Sequence, residues 1–527
     1  MKLSNQSLFG QVKHIIFWPI VVLLVTASSF SLIDTSEFLR ITTSINDWIV
    51  NSFDWLFSSA ALLFLLLCLI IYFSPLGKVV LGGPEATPLL SKWRWFSIAL
   101  CTTIATGILF WGPSEPLYHY HSPPSGLGIL PETEQAATFA LSTVFLHWTF
   151  IPYGIYTLAG VILAFSVYNL KQPFSLGSML YPLIGSRAHG WIGTVADGVS
   201  LFSLVAGMAA SLGAGLIILA GGLERLTGIT YSALTLGIMA VVIVSTFVSS
   251  AVSGLMKGIR MLSDINIKVF IGLAIFILLF GPTSYMLHEA GRGLWDMITH
   301  FFSHSLIGLD GNDKSWAHAW TIFYWSNWLA WTPVTAIFLA RIGYGYSIRE
   351  FIRMNLLYPA LFSIVWMTIF STTSLHFDIS QPGFPLFEQL SREGGIGQVI
   401  FSILDHFPLH KITSLVFLLA AFLSFVTAAD SNTSAMSSIS ATGISPSSPE
   451  PSVFIKVIWG VLIGMIAWVM IAFSGAGSSK GLDGIRMLSN MGGLPSLFLI
   501  LVAAIGMIKL ILASYFRKGP AQPENEN

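Results

Sequence analysis

Apolar runs of about 20 residues, each long enough to cross the hydrocarbon core of a bilayer as a helix, recur along this sequence from near residue 14 to near residue 515. Lipid offers a backbone no hydrogen-bond partner, so such runs are viable only as helices or as strands of a closed barrel. Their length is that of a helix, since a membrane strand needs only about 10 residues. The fold class expected is an all-α polytopic membrane protein. About twelve transmembrane helices are expected, near 14–34, 54–74, 94–112, 136–168, 193–222, 229–253, 264–287, 318–342, 350–373, 409–438, 453–474 and 490–515. Charge agrees with this: only 9% of the 527 residues are charged, against about 25% in a soluble domain. A formal net charge of zero gives no sign of nucleic-acid binding. Cys68 and Cys101 both fall inside apolar runs, without the spacing of a disulfide or metal site. The first run lacks a small-residue cleavage site and is read as a span, not a signal.

The run 136–168 is long and contains Pro152, which implies a bend. The stretch 288–304 has the pattern of an amphipathic helix lying on the membrane surface. An even number of spans puts both termini on one side, and about two-thirds of the 25 Lys and Arg residues fall there, which makes that side the cytoplasm. The loop 375–408 carries apolar pieces and is expected to pack on the outer face.

Three spans are chemically unusual. In TTIATGILFWGPSEPLYHYHSPP, 102–124, small and hydroxyl residues sit in mid-span, followed by Gly112, Pro113 and Glu115. Small residues let helices approach closely. Gly and Pro loosen backbone bonding, which a bilayer tolerates only inside protein or beside a cavity. A close-packed helix and a substrate-lining helix both fit. In FLHWTFIPYGIY, 145–156, Trp148, Tyr153 and Tyr156 share a span. Tyr153 and Tyr156 lie on one face, whereas Trp148 is about 140° from Tyr153 on an ideal helix; Pro152 between them is expected to bring the rings closer. Taken singly, each ring reads first as part of an interfacial belt. In HAWTIFYWSNWLAWTPVTAIFLARIGYGYSIRE, 318–350, Trp320, Phe323, Tyr324, Trp325, Trp328 and Trp331 crowd one span. A belt would place aromatics only at the ends. Trp325, Trp328 and Trp331 are three apart and form a stripe. Aromatic faces attract cations by about 0.5–1 kcal/mol when exposed and about 2 kcal/mol or more when desolvated. Several faces around one point suit a methylated ammonium, which has no proton to donate.

The blocks FYWSNWLAWTP (323–333), WGPSEPLYHY (111–120), HWTFIPYGIY (147–156), SAVSGLMKGIRMLSDIN (250–266) and FVTAADSNT (425–433), in this order and spacing, resemble the betaine/choline/carnitine transporter family. The resemblance spans about residues 14 to 515. It implies a LeuT-like fold, a five-plus-five inverted repeat preceded by two extra helices. The organisation is then a cytoplasmic segment 1–13, two leading helices and a loop over 14–92, a first unit 93–287, a surface helix and loop 288–317, a second unit 318–515, and a short cytoplasmic tail 516–527. It implies a bacterial cytoplasmic membrane as location and a homotrimer as assembly. The substrate implied is a small quaternary ammonium compound: glycine betaine, choline, carnitine or a sulfonium analogue, bound near the bilayer midplane. The family's aromatic box maps onto Trp148, Tyr153, Tyr156 and Trp328, with Tyr153 where the family commonly has Trp. Trp331 maps to the cytoplasmic exit route. Asn327 replaces the first of a tryptophan pair, exchanging a π face for hydrogen bonding. Phe323, from the same crowded span, completes the candidate set.

No cofactor is expected; a coupling ion, if there is one, is Na+ or H+. The coupling region implied lies near Cys101 and Ile104 of span three, Thr427 and Ala428 of span ten, and Lys268 at the start of span seven. Sodium-coupled relatives have a glycine-rich stretch where this chain has Thr103, Ala105 and Gly107. They have hydroxyls where it has Leu204 and Met208, and a Thr-Ser pair where it has Thr427 and Ala428. A hard cation takes oxygen ligands, so sodium-independent transport is expected. Lys268 reads either as a fixed ammonium standing in for a cation or as a snorkelling lysine partnered by Asp264. Asp430 is read as structural, and Glu115 and Asp197 as helix-end residues. No G-x-x-x-x-G-K-[ST] match supports an ATP-driven pump, which leaves secondary transport. Two other classes compete. One is a membrane enzyme using Glu115, His119, His121 and His147, although His119 and His121 are two apart and read as loop residues. The other is an osmosensor, against which the short tail argues.

Overall fold

The computed structural model describes residues 12–104, 107–252, 256–381, 386–390, 392, 394–442, 452–474 and 481–516. The principal helices are α1 (His14–Ile33), α2 (Thr35–Phe73), α3 (Lys92–Ile104), α4 (Gly107–His121), α5 (Glu134–Trp148), α6 (Phe150–Tyr168), α7 (Trp191–Thr227), α8 (Ala233–Val252), α9 (Met256–Phe280), α10 (Thr283–Thr299), α11 (Phe301–Ser305), α12 (Phe323–Ile342), α13 (Tyr358–Ser380), α14 (His410–Ser440), α15 (Val453–Phe473) and α16 (Leu482–Phe516). The protein is all-α and polytopic. Among the described residues, eight helical stretches are long and apolar enough to cross a bilayer, or nine if the bent pair Lys268–Phe280 and Thr283–Thr299 is one span. Within the expected spans near 94–112, 229–253 and 318–342 the described residues form the helices α3, α4, α8 and α12, which have shorter apolar lengths or more polar groups.

Burial sorts the helices into a centre and a rim. Of the apolar window in a span, 89% is buried in both Glu134–Tyr168 and Trp191–Thr227, against 39% in His14–Ile33. A helix apolar all round and buried all round belongs in the middle of a bundle. Every residue of α6 from Ile151 to Ser166 is buried. The rim helices instead turn aliphatic side chains outward, such as Val22 and Leu23 on α1 and Leu234, Ile238 and Val241 on α8. In lipid that exposure carries no hydrophobic cost.

Two breaks shape the bundle. The first divides the long run 134–168. Thr149 has φ −120° and ψ −110°, far from helical, and α5 ends as α6 begins. Pro152 has no N–H to donate to the Trp148 carbonyl, so the helix yields there. The second break lies at Gly281–Pro282, where the chain turns by 106° between Lys268–Phe280 and Thr283–Thr299. The residue before a proline avoids helical geometry. The expected span 264–287 is therefore corrected: its spanning part ends at Phe280. The surface helix begins at Thr283, not 288. It is amphipathic as expected, burying Met286, Glu289, Ala290, Gly293 and Met297 while Leu287, Trp295 and Ile298 face outward. A further correction concerns His119 and His121, which lie in α4 and not in a loop.

The connection after α13 is more than a cover. Its helix Gly395–Leu404 is buried except at Gln398 and meets α7 at a glycine pair. A Cβ on Gly221 would sit 2.5 Å from the Gly397 carbonyl carbon. Backbone in the way cannot swing aside, so Gly221→Ala is expected to cost about 1–3 kcal/mol. The measurement is the thermal midpoint of the detergent-solubilised protein, which should fall. Gly198→Ala in the same helix, with no atom within 4 Å of the added carbon, serves as the neutral control.

Candidate functional site

The break at Thr149 places the rings. Trp148 closes α5, and Tyr153 and Tyr156 lie on the first turns of α6. All three meet Trp328 of α12. Its ring centroid is 5.3 Å from that of Trp148, 6.2 Å from Tyr153 and 5.3 Å from Tyr156. The four rings are buried. Trp148 and Tyr156 stand nearly perpendicular to Trp328, at 80° and 72°. Such T-shaped pairs set the electropositive edge of one ring on the electron-rich face of another. The electron-rich faces that these edges meet are the kind of surface to which a methylated ammonium is attracted.

Hydrogen bonds fix the cage from outside. The Trp328 indole N–H donates to the carbonyl of His147 at 3.1 Å, a group exposed by the helix break. The Tyr153 hydroxyl lies 3.1 Å from that of Ser363 on α13. Gly107 of α4 lies against the Trp148 ring, where a Cβ would come within 2.8 Å of Cη2.

Behind Trp148 is Glu115, fully buried in α4. Its Oε2 accepts from the Trp148 indole N–H at 2.8 Å and from the Tyr324 hydroxyl. Its Oε1 lies 2.7 Å from His147 Nδ1 and 3.2 Å from His119 Nε2. Four donors thus converge on one carboxyl group, which as a carboxylate has room for all four. The far side of His147 reaches Thr321 at 3.2 Å. Glu115, His119 and His147 also offer ligand atoms within 4.8 Å of one another, but hydrogen bonds already account for these contacts. Sequence reasoning gave Glu115 no chemistry. The signal was present: a carboxylate inside a span is costly unless paired, and a histidine four residues on shares its helix face.

The other candidates are not part of the four-ring cluster. Phe323 packs on Trp111 and Tyr324, with centroids at 5.5 and 4.9 Å. Trp331 is partly buried one turn beyond Trp328, close to Gly207 of α7. The Asn327 carbonyl accepts from the Ser489 hydroxyl of α16 at 3.1 Å, which leaves its amide N–H groups as donors. In the coupling region, the Thr427 hydroxyl donates to its own helix, to the carbonyls of Leu423 at 2.8 Å and Ser424 at 3.0 Å. Ala428 beside it has no oxygen on its side chain. Leu204 and Met208 are buried in α7, and Met208 Sδ lies 3.4 Å from the Asn432 amide. Lys268 is exposed on α9, and Asp430 is buried in α14. Cys101 and Ile104 end α3, and their side chains, like that of Asp264, lie outside the described residues. Asp197 holds the chain before α7, accepting from Ser175 Oγ at 2.8 Å and Gly177 N–H at 3.1 Å.

The polytopic helical bundle is that of a membrane transporter, and it buries a cluster of indole and phenol rings at its centre. The chain belongs to the betaine/carnitine/choline transporter family, whose model matches residues 15–514. It is 31% identical over 495 residues to the glycine betaine transporter OpuD of Bacillus subtilis, covering 93% of each chain. It is 30% identical over 479 residues to a glycine betaine/proline/choline transporter of Vibrio parahaemolyticus, covering 88% of this chain and 83% of that one. It is 31% identical over 518 residues to the betaine/ectoine transporter LcoP of Corynebacterium glutamicum, covering 96% and 79%. These are transporters, so the enzyme reading of Glu115 and the histidines falls.

Glu115→Gln puts an amide N–H2 where donors already point. A hydrogen bond to a charged group is worth about 1.5–3 kcal/mol, so release of the Trp148 ring is expected to weaken substrate binding about tenfold or more. Titration of tryptophan fluorescence with glycine betaine checks this; an unchanged affinity would show that the cage does not rest on Glu115.

Proposed function

We propose that this protein is a secondary active transporter carrying a small quaternary ammonium compound, glycine betaine foremost, by alternating access. The observation that carries the reading is the convergence of Trp148, Tyr153 and Tyr156 on Trp328. A desolvated ring attracts such a cation by about 2 kcal/mol, and a trimethylammonium group asks for no hydrogen-bond acceptor in return. Glycine betaine ranks first because the relatives above are named for betaine transport. The Asn327 amide, beside Trp328, suits the polar end of such a molecule.

The twelve-span, five-plus-five repeat belongs to this reading. Helices α3–α4 and α12 then head the two units, and irregular backbone in both supports the assignment. Pro113 and Pro116 lie within α4. A π-helical turn at His318–Ile322 leads into α12, which contains Pro333. Discontinuous helices are where repeat transporters bind their substrates. Both termini lie in the cytoplasm by the Lys and Arg distribution, and the assembly implied is a trimer.

Coupling in this reading does not use sodium. Na+ is a hard cation that takes oxygen ligands. This chain offers Leu204, Met208 and Ala428 at the mapped positions, and the Thr427 hydroxyl is engaged by its own helix. Counter-substrate or H+ is then the driving gradient.

Trp328→Ala removes the ring that the other three share. Its dissociation constant for glycine betaine should rise at least about tenfold, the equivalent of 1.4 kcal/mol, whereas Trp331→Ala should change it less. Equal affinities in wild type and Trp328→Ala would put the site elsewhere. In proteoliposomes, uptake is expected to proceed at a similar rate with K+ replacing Na+ throughout; strict dependence on a sodium gradient would defeat the coupling assignment while leaving the cage intact.

A further inference from the structure

The surface helix between the two halves holds a cluster that the cage does not use. Asp296, His300 and His304 are four apart in turn and share a helix face. Helix α10 ends at Thr299, and the bend at His300 tips α11 so that His304 stays over Asp296. His300 Nδ1 is 3.0 Å from Asp296 Oδ1; it is also 3.2 Å from Thr299 Oγ1 and 3.3 Å from the Asp296 carbonyl. The two imidazoles stack, with centroids 5.1 Å apart at 16°.

His304 is the telling residue. It is only 7% exposed, seated against Phe139 of α5 with centroids at 5.4 Å. Its Nδ1 faces Asp296 Oδ2 at 3.8 Å. Both atoms are buried and neither has a hydrogen-bond partner. A gap of 3.8 Å is too long for a hydrogen bond. It is near the separation of two ligands on one ion: Zn2+ holds nitrogen at about 2.0–2.1 Å, which sets ligands at a tetrahedral angle roughly 3.3 Å apart. One ligand atom from each of the three residues falls within 4.8 Å of the others.

We propose that Asp296, His300 and His304 form a binding site for a divalent first-row transition metal, Zn2+ or a neighbour such as Co2+ or Ni2+. Two imidazoles and one carboxylate are the donor set such ions take, and water reaches the fourth position past His300, whose side chain is 54% exposed. The site has a route to transport. Helix α10 lies hard against α5, where a Cβ on Gly293 would be 2.6 Å from Leu141 Cβ. Met297 Sδ lies 4.0 Å from the Thr149 hydroxyl, at the break that positions the cage. An ion that locks α10 to α11 stiffens the wall behind that break and slows the carrier; this second part rests on the transport reading, the first does not.

The test uses full-length protein in detergent, stripped with a chelator and titrated with Co2+ as the probe. Visible d–d absorption should report one saturable site, and its affinity should fall at least about tenfold in His300→Ala and in Asp296→Asn. Both side chains reach solvent, so neither variant threatens folding. The absence of saturable binding to the wild type, or unaltered binding in both variants, overturns the site. In proteoliposomes, micromolar Zn2+ should slow wild-type uptake several-fold and leave His300→Ala uptake unaffected. Metal binding without any effect on wild-type uptake overturns the regulatory part alone.

Discussion

Inside a bilayer an unpaired backbone group costs several kcal/mol, and the chain departs from regular helix where protein can repay that cost. Thr149 is one such place. Around it the side chains of His147, Trp148, Ile151 and Pro152 are buried in the bundle, and the indole of Trp328 supplies the His147 carbonyl with its missing donor. One hydrogen bond therefore does two things: it satisfies a broken helix, and it sets the central ring of the cage against the rings that the break has turned toward it. A continuous helix from 134 to 168 would keep its carbonyls and lose the cage.

A second buried interaction keeps that arrangement in register. Glu115 ties α4 to α5 through Trp148 and His147 and to α12 through Tyr324. A buried charge with all its partners present holds its surroundings to one geometry, whereas removal of a partner leaves a large uncompensated cost. The same carboxylate thus links the three helices that carry Gly107, Trp148 and Trp328. Gly107, which lets α4 close on the Trp148 ring, is the steric counterpart of that electrostatic tie.

The four rings were singled out by the resemblance of their blocks to a known family, since taken singly those of span 145–156 read as an interfacial belt. The surface helix was legible from the amphipathic pattern of 288–304, but its start was not. Pro282 ends the preceding span earlier than hydropathy suggests, since the run of apolar side chains continues past the turn. His119 and His121 were misplaced because, two apart, they face different ways on a helix and so read as loop residues, yet α4 continues through Pro113 and Pro116 to His121. That Glu115 must be paired was signalled by its place in a span and by His119 four residues on, but its ties to His147, Trp148 and Tyr324 were not legible, since these lie 32, 33 and 209 residues away in sequence.

By itself the sequence determined that this chain lives in a membrane, that it is built from helices, and which ring-bearing residues it can bring to a site. Those conclusions need only length, hydropathy and residue type, all local properties. Tertiary structure alone decided that the rings face one another. On an ideal helix Trp148 and Tyr153 point about 140° apart; they meet because the backbone breaks between them and α12 offers Trp328 at the gap. Which carbonyl is freed, which indole fills it and which carboxylate steadies the result depend on contacts between segments far apart in the chain, and no window of sequence contains them.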